Sequence, residues 1–117
     1  MNKTKSVVNW ILLVLVSLGF LLASSGKLTN NPQVIEMFNN WGFPGGFHIF
    51  IGLLELTFAV LLLIPKTLKI AIYGLVVILI GAMITHLVND PLLELIRPII
   101  FLVLLGSIYF INYSTKA

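Results

Sequence analysis

Four apolar runs, each close to the length needed to cross a bilayer, fill most of this chain: residues 7–24, 46–64, 68–88 and 92–112. A transmembrane helix takes about 20 mostly apolar residues. Between the runs there is little with which to build a water-facing surface. Of 117 residues, 59% are hydrophobic and 9% charged, and the mean hydropathy is +1.09. A soluble domain carries about 25% charged residues. The sequence therefore predicts an all-α integral membrane protein, with residues 1–117 forming a single transmembrane domain.

Short breaks set the topology. Pro65-Lys66 separates the second and third runs, and Asn89-Asp90-Pro91 the third and fourth. Turns this short make antiparallel neighbours, so the expected architecture is a four-helix up-down bundle. The one long connection, residues 25–45, has its own signals. Asn31-Pro32 reads as a cap followed by proline in the first helical position. Val34, Ile35, Phe38 and Trp41 then share one side, until Gly42, Pro44, Gly45 and Gly46 break the helix. This predicts a short interfacial or re-entrant helix between spans one and two, over the outer mouth of the bundle. A plain amphipathic connector fits the same pattern.

Lys3, Lys5, Lys66, Lys69 and Lys116 all fall on one side of such a bundle. Basic residues mark the cytoplasmic side, so both termini are expected in the cytoplasm of a multi-pass cell (inner) membrane protein. Asn112-Tyr113-Ser114, a glycosylation sequon by pattern, would then face the wrong side. The first run also has signal-peptide features, namely a basic start and small residues at Ala23-Ser24-Ser25. Its apolar stretch exceeds the usual core of such a peptide, which favours a retained span.

Several function classes drop out. There is no cysteine and hence no disulfide, thiolate nucleophile or thiol-held metal. A pI of about 9.5 rests on a net charge of only +3, with the lysines scattered, so no nucleic-acid partner is read from it. There is no phosphate loop, nucleophile elbow or dinucleotide fingerprint. His48 and His86 lack metal-ligand spacing, so no metal site is predicted, and nothing favours a haem.

Against this background Glu55 stands out, near the middle of the second run. An acidic side chain at mid-membrane costs roughly 2.5 kcal/mol or more. Three further ionisable residues, Lys27, His86 and Arg97, lie in or at the ends of the other runs, and all four fall in the outer half. At 1.5 Å per residue Glu55 lies roughly 12 Å deep and Arg97 roughly 8 Å. Gly52, Glu55 and Ala59 make a small-residue stripe around the acid. Ser17, Phe20, Ser24 and Lys27 share a face of the first span. Gly74, Gly81, Ala82 and Thr85 allow close approach along the third.

These patterns converge on an outward-facing polar pocket with a carboxylate at its floor. Arg97 is the better partner for Glu55 on chemical grounds, since guanidinium stays charged and binds carboxylate in two places. Lys27 is the alternative, with snorkelling to water as its plain reading. His86 can exchange a proton near neutral pH, or simply satisfy a local acceptor. Pro98 is expected to bend the fourth span beside Arg97. An ion pair that only locks helices in register fits the same residues. Glu94 and Asp90 are placed at the outer rim, and Glu36 in solvent.

At these residues the chain resembles the DoxX-like family of small four-span membrane proteins. The resemblance is carried in order by Ser24-Ser25-Gly26-Lys27-Leu28, Trp41-Gly42-Phe43-Pro44, Gly52-Leu53-Leu54-Glu55-Leu56, Gly81-Ala82-Met83-Ile84-Thr85-His86 and Arg97-Pro98. It implies a four-helix membrane fold. The family name comes from a subunit linked to thiosulfate:quinone oxidoreduction, and other relatives are membrane partners of redox-stress systems or assembly factors. The resemblance thus points to a quinone- or small-molecule-binding subunit; a quinone-facing role needs only an apolar pocket with a proton-exchanging group, for which Glu55 and His86 are the candidates. The bilayer is its immediate partner, and a membrane-protein partner or a homo-oligomer fits too. The alternatives are a small proton-coupled exporter and a non-catalytic assembly partner.

Overall fold

The computed structural model describes residues 2–89 and 92–113; Asp90, Pro91, Ser114 and Lys116 lie outside the described residues. All regular structure among the described residues is helical. The Asn2 side chain accepts from the Lys5 amide at 2.8 Å and starts α1, Lys3–Leu28. This helix runs further at both ends than the apolar run 7–24. The serines that end the run do not end the helix, because Ser24 and Ser25 turn their hydroxyls back onto the Leu21 and Leu22 carbonyls (2.9 and 2.7 Å). Lys27 is thereby held on the last turn of α1, where a cation complements the helix dipole.

Asn30, in the left-handed region at φ 57°, turns the chain into the cap of α2, Pro32–Asn40. The Asn31 side chain accepts from the Gln33 amide, and Pro32 occupies the first turn as its spacing predicts. Gly42 and Gly46, both at φ 86°, redirect the chain into α3, Phe47–Leu62. A 3-10 turn, Pro65–Thr67, follows, closed by the Thr67 hydroxyl donating to the Leu61 carbonyl at 2.8 Å. Next comes α4, Leu68–Asn89, then a 3-10 turn, Leu92–Leu95, and α5, Ile96–Tyr113.

Two boundaries differ from the sequence reading. The fourth run opens as a 3-10 turn, and α5 begins only at Ile96, which puts Pro98 in its first turn. A first-turn amide has no intrahelical acceptor to lose. Pro98 therefore marks a helix start rather than the expected bend. The second run yields 16 helical residues, about 24 Å against a hydrocarbon core of about 30 Å. Three helices are long and apolar enough to cross a membrane, namely α1, α4 with its preceding turn, and α5; α3 is a shorter apolar helix.

Helix α1 packs on α3, α3 on α4, α4 on α5, and α5 back on α1. Val16, Ala59, Leu62, Ala71, Leu75, Leu105 and Ile108 are the most enclosed of the core. The outward faces are just as apolar. Leu22, Val77, Val88, Val103 and Phe110 are each at least 62% exposed. Helices apolar on every side suit lipid rather than water, while Glu55, Ser17, Ser24 and His48 are buried.

Glycines set the tightest contacts. A Cβ on Gly52 would come within 2.9 Å of the Lys27 Cβ, and one on Gly74 within 2.5 Å of the Phe58 ring. Both do what the small-residue pattern predicts, and Ala59 is wholly buried. Gly81 does not: it is exposed, with open space where its side chain would be, and Ala82 is only partly buried. Those residues lie near the far end of α4, away from its enclosed core at Ala71–Leu79. The close approach missing from the sequence reading is Gly19, whose Cβ would meet the Phe101 ring of α5 at 2.5 Å.

Candidate functional site

The seam between α1 and α3 carries a ladder of polar contacts. On α3 the buried positions His48, Gly52, Glu55, Ala59 and Leu62 form one stripe. On α1 the facing stripe is Ser17, Phe20, Ser24 and Lys27, with Lys27 largely enclosed. Midway along the seam, the Ser17 hydroxyl donates to the Ala59 carbonyl at 2.9 Å. Further along the seam, Lys27 Nζ lies 2.9 Å from Glu55 Oε1, with the side chains 17% and 7% exposed. Gly52 makes this possible by letting the Lys27 stem lie against the α3 backbone.

The two charges are in direct contact, and Glu55 Oε1 is buried. Nζ also reaches the Ala23 carbonyl, at 3.5 Å.

Above the pair, His48 Nε2 is 2.8 Å from Asn30 Oδ1. The Phe38 ring of α2, buried, stands edge-on to His48 at 6.0 Å and contacts Trp41, Phe43 and Phe47. Phe43 and Phe47 stack at 4.7 Å. Trp41 in turn meets the His86 ring of α4 edge to face at 5.3 Å. Helix α2 and its following loop thus form an aromatic lid over this end of α1, α3 and α4.

Arg97 is not the partner of Glu55. It is exposed on α5, where it lines an open depression with Glu94, Ile96, Ile100 and Phe101. The preference for guanidinium rested on chemistry, and register overrules it: the last turn of α1 lies against Gly52 and Glu55, so the cation there is Lys27. The four sequence-predicted residues therefore divide. Lys27 and Glu55 come together, His86 sits under the lid against Trp41, and Arg97 lies on another face.

Residues 11–107 match the DoxX-like family, which covers well over half of the chain. The chain belongs to the DoxX-like family. No curated protein and no solved structure matches it. In this DoxX-like chain, three helices are long and apolar enough to cross a membrane.

Two residues of this site carry little signal in the sequence. His48 has no metal-ligand spacing, yet it continues the spacing of Gly52, Glu55 and Ala59 one turn earlier. Asn30 carried no motif, and it becomes a partner only because its left-handed backbone aims it at α3. Among the described residues no group of three His, Asp or Glu side chains is placed to hold a metal ion.

Proposed function

We propose that this DoxX-like protein is a membrane subunit that binds a small apolar molecule with a hydrogen-bonding head, of the quinone class, beneath the aromatic lid. The observation that carries this reading is the enclosed Lys27–Glu55 pair, a buried carboxylate held beside an ammonium. A carboxylate has acceptor capacity beyond a single ammonium. A quinol hydroxyl entering under Phe38 and Trp41 would donate to it, and the rings would flank its apolar body. Lys27, on the same carboxylate, would donate to the carbonyl of the oxidised form.

Saturable quenching of Trp41 fluorescence by a short-chain benzoquinone tests this, with Trp10→Phe as background. Glu55→Gln is expected to weaken binding at least about tenfold at unchanged secondary structure. Unchanged affinity in a folded variant removes the site.

The same reading places all four helices across the bilayer in up-down order, with both termini in the cytoplasm and the lid outside. The lysine distribution supports it. A second reading, a non-catalytic assembly partner, is favoured by the closed α1–α3 seam, in which the ion pair and the Ser17 bond fix register. A stable partner retained in mild detergent, with Glu55→Gln harmless to both retention and quinone quenching, would select it.

A further inference from the structure

The end of the molecule opposite the lid has a cleft of its own, mostly apolar with a few polar side chains at its rim. It measures about 280 Å³ and is lined by Ser6, Asn9, Trp10, Leu13, Pro65 and Asn112, among others. Three elements meet there: the start of α1, the 3-10 turn after α3, and the last turn of α5. Asn9 is only 8% exposed, and its Oδ1 accepts from Asn112 Nδ2 at 2.8 Å. Asn112 Nδ2 also donates to the Ile108 carbonyl, which fixes this amide to its helix. Asn9 Nδ2 is left without an acceptor among the described residues, on a residue that lines the cleft.

Among the described residues the charged side chains around the cleft are of one sign. Lys3 and Lys5 lie one turn before Ser6 and Asn9 on α1, at the spacing that stacks side chains on a helix. Lys66 directly follows Pro65, and all three lysines are exposed. Lys69, nearby on α4, is instead drawn over the Tyr109 and Tyr113 rings, at 6.0 and 5.1 Å. None of the chain's four acidic residues, Glu36, Glu55, Asp90 and Glu94, belongs to the segments that form this end. Immediately beside the polar rim come Leu13, Leu62, Leu63 and the half-exposed Trp10. A polar, cationic rim over an apolar wall is complementary to a phosphodiester anion attached to a hydrocarbon chain. Tryptophan is the residue that favours the headgroup depth, and basic pockets between membrane helices bind anionic headgroups.

We infer that this cleft holds the headgroup of one anionic phospholipid. Ser6 and Asn9 donate to its phosphate, Lys3, Lys5 and Lys66 supply the countercharge, and an acyl chain runs along Leu13 and Leu62. The inference uses the membrane placement of the chain and is independent of the quinone reading.

Native mass spectrometry of the full chain from detergent, titrated with phosphatidylglycerol or phosphatidylcholine, tests it. One phosphatidylglycerol is expected to be retained in preference to phosphatidylcholine. Replacing the exposed lysines by glutamine is expected to reduce that preference about fivefold per lysine removed. Ser6→Phe keeps every lysine but fills the cleft, and is expected to abolish retention of the single lipid. Equal retention of both lipids by the wild type, or undiminished retention in Ser6→Phe, overturns the proposal. Displacement of the lipid by soluble glycerol 3-phosphate at comparable concentration would assign the site to a free phosphate and overturn it as well. The lysine variants alter only exposed side chains, so they remain informative if Ser6→Phe does not fold.

Discussion

At the scale of residues, the decisive contact is the enclosed Lys27–Glu55 pair. Removing one member of a buried pair leaves an uncompensated charge, which typically costs about 3–5 kcal/mol, whereas replacing both by apolar groups is often neutral. Lys27→Met is therefore expected to lower the melting temperature in detergent markedly, and Lys27→Met with Glu55→Leu to recover most of the loss. A double variant no better than the single one would mean that the pair does not hold α1 to α3. Gly52 is the second sensitive position. Its Cβ would fall 2.9 Å from Lys27 Cβ, so Gly52→Val is expected to destabilise by about 1–3 kcal/mol through overpacking. The exposed Gly81→Val is expected to leave the melting temperature nearly unchanged. The small-residue stripe around Glu55 was legible in the sequence because 3.6-residue periodicity puts Gly52 and Ala59 beside it. The identity of its cation was not, because periodicity within a helix carries no information about which neighbour that face meets.

At the scale of elements, α2 and its loop tie the lid to the rest. The local sequence signals there are strong. Asn31 caps, Pro32 starts the helix, and glycines at positive φ end the segment. Losing a side-chain cap typically costs about 1 kcal/mol. Asn31→Ala is expected to lower stability by about that amount and to raise amide exchange across α2 without changing exchange in α4. Phe38 contacts four aromatic rings, including His48. Phe38→Ala is expected to cost about 3 kcal/mol and to shift Trp41 fluorescence to the red as water enters. Unshifted emission would mean that the lid does not depend on this ring. The start of α5 was less legible. A run of apolar residues does not separate a 3-10 turn from an α-helix, and hydrogen bonding along the backbone decides between Leu92–Leu95 and Ile96.

At the scale of the whole molecule, polar and apolar surfaces are arranged as lipid requires, with polar side chains gathered between helices and apolar ones on both sides. The absence of cysteine allows the proposed four crossings to be mapped directly. Single cysteines introduced at exposed Lys66 and Gly45 are expected to be labelled by an impermeant maleimide from opposite sides of the membrane. Labelling from the same side would show that α3 does not cross. By itself the sequence determined that the protein is helical, with runs long and apolar enough for a membrane, and which face of α1 and of α3 is polar, because hydrophobic run length and helical periodicity are local quantities. Only the tertiary structure decided that Glu55 meets Lys27 rather than Arg97, that His48 joins their stripe through Asn30, and that Asn9 meets Asn112 across 103 residues of chain. Those choices depend on the rotation of each helix about its own axis, which is set by how Gly19, Gly52 and Gly74 admit Phe101, Lys27 and Phe58.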